Sequence, residues 1–572
     1  MLRIENGLIL LALLIAFIYP SLGSRWFDKA EHGFATLARR RVLSGVLVGI
    51  AALALRAALL PIEPIPEPII HDEFAYRLAA DTYAHGRLTN ATHRMWIHFE
   101  SFGIIQKPTY QCIAQPAQGL ILALGTVVGH PFWGVWLSIG IMCVVITWTL
   151  QGWLPEEWAL LGGILAILRF GTFSYWANSY WGGTAGAIGG ALVLGALPRI
   201  RSSQRPRDAL LMAAGLAVLA NSRPYEGLVF SLPIAVALFA WIFSRQAPPW
   251  RILVRRVIVP LCAVLIVAAI GMGYYFWRVS GDPFRMPYQV ERESYAVSPY
   301  LLWQRPRPVP VYRHLEIKRM YGEDDVRNFQ FARSRIGLVL FAILKTVRIW
   351  SFFVGPALSL PVLMMAFVLP YGFRWGEIHA NTRFLIIVAG FFFAGLITEA
   401  YFEPHYAAPI TCVLMALTLV AMQRLQTWEL NGQRTGAALN RAVVVICLLS
   451  FGIRAVAAGR GWELGRSESP AWHKVGPKSF GRATVVAKLK ELPGKQLVIV
   501  RYTDHHDLFD EWVYNDADID NSKIVWAREM DAAENAKLVD YFKDRQIWLL
   551  EADEQPLKLS FYSKTMNKTG VR

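Results

Sequence analysis

Asp72 and Glu73 stand side by side at the head of the first long polar stretch of the chain, residues 62–118, just past an apolar run that closes with Ile69-Ile70. A carboxylate placed there sits at a membrane surface rather than in lipid, where it can take a proton from an attacking hydroxyl as a general base. The structural alternative uses the same residues, with Asp72 as a helix cap and Glu73 as half of a surface ion pair. On a helix over 72–85, Glu73, Arg77 and Asp81 stack at four-residue spacing. That ladder explains Glu73 without catalysis and leaves Asp72 as the stronger of the two.

The same stretch carries Trp96, Phe99, Phe102 and Tyr110, with His85, His93 and His98. The aromatics anchor at an interface or offer a platform for a sugar ring. The histidines have no ligand-like spacing, and His98 with Glu100 alternates as a strand would. Asp516, Asp518 and Asp520 lack the glycine and glutamate of a calcium loop. No metal is expected. Gly182, Gly186 and Gly190 repeat every four residues and predict a flat ridge for close helix packing.

These residues must be positioned by membrane helices. The chain has 572 residues, of which 54% are hydrophobic and only 17% charged, which excludes a soluble protein of this size. Its net charge of +16 lies largely in short loops between apolar runs, not in a nucleic-acid surface. Three such loops, 25–41, 199–207 and 245–256, face the cytoplasm by the positive-inside rule, as do 374–383 and 424–441. Both termini and the 62–118 loop then lie outside, in a bacterial periplasm. The five cysteines, Cys112, Cys143, Cys262, Cys412 and Cys447, form neither a disulfide framework nor a ligand set.

The spacing predicts an α-helical polytopic protein of about 12 spans. The run at 116–130 is excluded as a span, since about 15 residues cover only about 22 Å of a core about 30 Å thick. The run at 336–350, with Lys345 and Arg348 on an apolar helix, reads as interfacial. Four regions follow: two N-terminal spans (1–61), a first periplasmic loop with juxtamembrane helices (62–134), a transmembrane core (135–461) with a second periplasmic loop (279–335), and a soluble domain (462–572). The last reads as a small α/β unit, with helices at 481–492 and 533–543 and strands at 497–502, 524–526 and 547–550. Cations also gather on the outer side against the charge rule: Arg223, Arg278, Arg285, Arg292, Arg305, Arg307, Arg313 and His405. An anionic lipid headgroup gives that excess a reason.

The outer loop opening with Asp72-Glu73-Phe74-Ala75-Tyr76, Lys107-Pro108 ahead of Gln115-Pro116-Ala117-Gln118-Gly119, and Pro404-His405-Tyr406-Ala407-Ala408-Pro409 at a late span together resemble the GT-C class of polyprenyl-phosphate-dependent glycosyltransferases. Within that class the chain resembles in particular the protein mannosyltransferases and lipid A aminoarabinose transferases, and the layout corresponds over about residues 60–425. The resemblance implies a GT-C-like fold and transfer of a hexosyl or pentosyl unit, with inversion, from a polyprenyl-phosphate sugar to a glycan, lipid or protein acceptor. Transfer would take place on the periplasmic side of the inner membrane, without a cofactor. Asp72 maps onto the catalytic acid and Glu73 onto its neighbour. Lys107, Arg223, Tyr225, Arg285, His405 and Tyr406 are the candidates to bind substrate and lipid phosphate. Two departures stand out: Ala114-Gln115-Pro116 replaces a double proline, and His405-Tyr406 replaces an Arg-Tyr pair. The rival functions are a transporter or flippase of lipid-linked sugars and a non-catalytic scaffold of polysaccharide assembly. A transporter would show ionisable sites near mid-membrane, where only Arg56 and Arg169 come close.

Overall fold

A computed structural model describes residues 1–368, 375–462 and 481–562. Arg374 and the first stretch of the expected C-terminal domain, 463–480, lie outside them. Eight helices among the described residues are long and apolar enough to cross a membrane: Arg41–Ala58, Phe132–Leu150, Pro224–Ile242, Trp250–Ser280, Arg335–Met365, Ala380–Ile397, Pro404–Gln426 and Thr435–Gly459. Four more of the expected spans fold as helices outside that group, Leu2–Ile18, Glu156–Phe170, Thr184–Ser203 and Pro206–Ala220. At 15 residues, Glu156–Phe170 and Pro206–Ala220 are the short ones. The helix Pro116–Val127 has only 12 residues.

Two expectations are corrected. The basic segment 25–41 is mostly helix, Ser24–Ala38, tied to the bundle where Arg441 reaches Asp28 at 2.6 Å and Glu31 at 2.8 Å. The run 336–350, expected at the interface, forms the first half of the helical stretch Arg335–Met365, which is long and apolar enough to cross a membrane. Its charges turn into the bundle: Lys345 is 3% exposed, and its ammonium donates to the carbonyls of Leu396 at 2.7 Å and Glu399 at 2.6 Å. Spacing along one helix shows that a face is polar but not whether the face meets headgroups or a neighbouring loop.

The glycine ridge works by contact. A Cβ on Gly190 would lie 2.1 Å from the carbonyl oxygen of Pro409, and one on Gly186 would lie 3.1 Å from Ala408. Thr184–Ser203 therefore presses directly on the segment Pro404–Ile410, which carries His405.

On the Asp72 side, the first loop builds the helix His71–Ala84 and a small antiparallel sheet in which Thr109–Cys112 lies between Asn90–Ala91 and Ile104–Ile105. Trp96–His98 is a 3-10 turn rather than the strand that the alternation suggested. His98 is fully buried there, its Nδ1 3.1 Å from the carbonyl of Arg528.

The C-terminal sheet has the order Ile524–Arg528, Lys495–Arg501, Arg545–Glu551, Lys558–Phe561. Its first three strands are parallel and the last is antiparallel. Leu497-Val498-Ile499-Val500 reads as a continuous apolar run because a parallel strand is covered on both faces. Asp531 caps the helix Ala532–Tyr541, accepting from the Ala533 and Glu534 N–H groups at 2.9 Å.

This domain does not hang free. Phe74, Leu78, Ile104 and Tyr110 of the first loop share one core with Leu497, Ile499, Tyr514 and Leu538, and the Phe74 and Tyr514 rings stack at 4.5 Å. Arg528 fastens the joint. It is 1% exposed, donates to the Glu100 carbonyl at 2.7 Å, and pairs with Glu316 at 3.0 Å and with Glu511. Arg528→Ala is expected to lower stability by about 3–5 kcal/mol, because two buried carboxylates lose their counter-charge. A thermal melt of the purified protein reads this, and an unchanged midpoint would show that the joint does not depend on the ion pairs.

Candidate active site

The helix His71–Ala84 starts at the bundle surface because Glu73 holds its first turn. Oε2 of Glu73 accepts from the N–H groups of Ile69 at 2.9 Å and Ile70 at 3.2 Å, and Oε1 accepts from Tyr180 N–H at 2.9 Å. At 3% exposure this carboxylate is a strut between the first loop and the segment before Thr184–Ser203. Arg77 lies over the Tyr180 ring at 5.8 Å, and Asp81 accepts from Ala517 N–H of the C-terminal domain at 2.8 Å. The expected ladder residues are thus drawn into tertiary contacts.

Asp72, one position earlier, points the other way. Its side chain is 35% exposed, with Oδ1 3.6 Å from Nε2 of His71. Its Oδ2 accepts from Nε1 of Trp181 at 2.7 Å, which fixes the carboxylate while leaving it open to a ligand.

Trp181 leads to the cations. Its ring lies 4.9 Å from that of His405. His405 is 1% exposed, with Nδ1 3.1 Å from the Tyr175 hydroxyl and Nε2 without a hydrogen-bond partner among the described residues. The next residue, Tyr406, lies under the Arg223 guanidinium at 4.1 Å, and Arg223 is 3.6 Å from Glu226. Burial pushes the Tyr76 phenol above its usual range, with Arg223 opposing and Asp72 adding to the shift. Tyr76 therefore feels both the carboxylate and the guanidinium. On the other side of Asp72, the His71 ring stacks on Phe509 at 5.9 Å and 28°. Phe509 is 58% exposed, so the C-terminal domain supplies an open aromatic ring beside the carboxylate.

Of the candidate residues, Asp72, Arg223, His405 and Tyr406 are brought together. Tyr225 instead ties two helices, its hydroxyl 2.6 Å from Thr398 Oγ1 and 3.2 Å from the Gly395 carbonyl. Arg285 pairs with Glu293 at the surface. Lys107 lies over Trp96 at 4.2 Å, as does Arg313 at 4.8 Å. Among the described residues, no group of three or more His, Cys, Asp or Glu is placed to hold a metal.

Two carboxyls that were not among the candidates face the same region. Glu403 is pushed from its usual 4.5 to about 7, by burial first, with Arg348 opposing and Asp72 adding. Arg348 reaches it at 3.4 Å. Glu291 also rises to about 7, by burial, against the pull of Arg292 and a Tyr321 hydrogen bond and with help from Asp325 and Asp72. Glu403 stands two residues before His405, so its place in the sequence could have marked it; nothing local marks Glu291.

No protein-family model matches the sequence, and no curated protein sequence matches it. Among solved structures, the chain is similar to apo ArnT from Cupriavidus metallidurans, at 14% identity and a TM-score of 0.48, with 88% of this chain and 92% of that one covered. ArnT bound to undecaprenyl phosphate gives 16% identity and a TM-score of 0.45 over 80% and 83%. The Archaeoglobus fulgidus oligosaccharyltransferase tethered with an acceptor peptide gives 10% and 0.44 over 90% and 69%. At such identities the similarity is one of fold, and function has to come from the residues themselves.

Proposed function

We propose that this protein is a membrane glycosyltransferase that moves a sugar, with inversion, from a polyprenyl-phosphate donor to an envelope acceptor on the periplasmic side of the inner membrane. The observation that carries the reading is the open Asp72 carboxylate, fixed by Trp181 beside the buried cluster of His405, Tyr406 and Arg223. As the acceptor oxygen bonds to the anomeric carbon, Asp72 takes the hydroxyl proton and the bond from that carbon to the phosphate oxygen breaks. The leaving polyprenyl phosphate keeps the electron pair. It needs cations rather than a general acid, and Arg223 supplies the charge while Nε2 of His405 offers a further contact. Glu73 acts as a positioning residue, and phosphate neutralisation is assigned to Arg223 without a metal or cofactor.

Two observations favour this over the rivals. Arg56, a deep charge that a transporter could use, is held through Nη1 and Nε by the carbonyls of Glu63 at 3.0 Å and Ala177 at 3.4 Å. The C-terminal domain is built into the wall around Asp72 rather than left pendant as a docking module. Membranes carrying the wild-type chain, supplied with a panel of labelled polyprenyl-phosphate sugars and extracted envelope acceptors, should release polyprenyl phosphate as the sugar moves. No transfer from any donor overturns the proposal.

The raised carboxyls add a pH dependence. Glu403 and Glu291 stay protonated in the fold where a free carboxyl ionises. The stability they contribute is therefore full below about 4.5 and is lost as pH rises through about 7. Over that range the cavity gains negative charge, so undecaprenyl phosphate is expected to bind more weakly as pH rises through about 7, and Glu403→Gln should flatten the profile. Binding isotherms of purified protein across neutral pH measure this. A Glu403→Gln profile identical to wild type removes Glu403 as the cause.

A further inference from the structure

The helix Thr184–Ser203 begins beside Trp181 and runs 20 residues, about 30 Å at about 1.5 Å each, to the opposite face of the bundle. There it borders a cavity of about 290 Å³ lined by Trp153, Leu197, Pro198, Arg201, Ser202 and Asn381. The walls are fixed. The Trp153 ring stacks on Phe384 at 5.8 Å and 4°, and its Nε1 donates to the Leu194 carbonyl at 3.2 Å. Arg201 is anchored through its Nη2, which donates to the Ala237 carbonyl at 2.6 Å, while its Nε is buried without a partner among the described residues. A buried donor left unmade is costly. An acceptor entering the cavity meets the Arg201 guanidinium that lines it.

Among the described residues, no carboxylate lines this cavity. The nearby Asp208 is occupied by Ser203 Oγ at 3.2 Å and by Arg207 at 3.8 Å. Arg199, Arg205 and Arg207 add positive charge to the same stretch of chain as Arg201. An anion is favoured on these grounds, and an oxyanion in particular, since a guanidinium edge and an amide match its geometry. The other half of the lining is Trp153, Leu197 and Pro198, which a small soluble anion would leave uncovered. An amphiphile with a phosphate ester at its head satisfies both halves.

We propose that this cavity binds the phosphate ester of an anionic lipid, on the face of the membrane opposite Asp72 and independently of the transfer site. The full-length protein, purified in detergent, is mixed with phosphatidylglycerol or phosphatidylcholine and examined by native mass spectrometry. Wild type should retain phosphatidylglycerol over phosphatidylcholine, and Arg201→Gln should weaken phosphatidylglycerol binding about tenfold. Arg201→Lys, which keeps the charge, should restore part of it, and Asn381→Ala tests the other polar wall without touching the helix anchor. Inorganic phosphate added as competitor separates the sources: displacement of the lipid shows that the phosphate group alone is bound, and no displacement shows that the lipid is required. Equal retention of the two lipids by wild type, or undiminished binding by Arg201→Gln and Asn381→Ala together, overturns the proposal.

Discussion

Asp72→Asn is expected to slow sugar transfer by about 10²–10⁴-fold, the usual range for loss of a positioned general base, while leaving the fold and donor binding in place. The amide oxygen can still accept from Nε1 of Trp181, which now sits 2.7 Å from the carboxylate, so the side chain keeps its orientation and loses only its ability to take a proton. Asp72 is not part of the strut that holds the helix start; Glu73 is. A single-turnover assay with saturating donor isolates the chemical step, and a melt of the same preparation excludes misfolding. Near-normal turnover would remove Asp72 from the chemistry and shift attention to Glu403.

Arg223→Gln is expected to cost about 10²–10³-fold in kcat/KM, comparable to losing one preorganised donor at the site of developing charge. Arg223 is held by the face of Tyr406 at 4.1 Å and by Glu226 at 3.6 Å, and a glutamine provides neither the charge nor the reach. It also leaves Glu226, 5% exposed, without its counter-ion, so some loss of stability accompanies the loss of activity. Arg223→Lys separates the two effects: it retains a charge for Glu226 but loses the planar fork and the stacking. Recovery of the melting temperature without recovery of kcat/KM is the expected pattern, and wild-type kinetics in Arg223→Gln would exclude it as the phosphate clamp.

The sequence displayed local features well. Apolar runs correspond to helices of the membrane body, and the alternation of helix and strand in the C-terminal domain reappears within a few residues in Arg482–Glu491, Lys495–Arg501 and Ala532–Tyr541. The short run after Gln115 stayed short for the reason its length suggested. What could not be read was which loop meets which. Lys107, Arg285 and Tyr225 have the right chemistry for a phosphate clamp, yet each is turned to a partner that only the tertiary structure supplies, Trp96, Glu293 and Thr398 respectively. Trp181 stands just before the glycine ridge in the sequence, and only the fold shows its indole holding Asp72. Lys345 and Arg348 marked a polar helix face correctly but gave no sign that the face meets residues 396–403. The docking of the C-terminal sheet on His71–Ala84 joins positions more than 400 residues apart, such as Tyr110 and Asn515, a distance over which periodicity carries no information.

The most direct test of the central claim reconstitutes wild type and Asp72→Asn in the same lipid, confirms equal binding of undecaprenyl phosphate, and follows a labelled sugar from its polyprenyl-phosphate carrier to an envelope acceptor. Wild type is expected to transfer the sugar, with release of the lipid phosphate and inversion at the anomeric carbon, and the variant almost none. Equal transfer by the two proteins, or release of sugar with retained configuration, would contradict it.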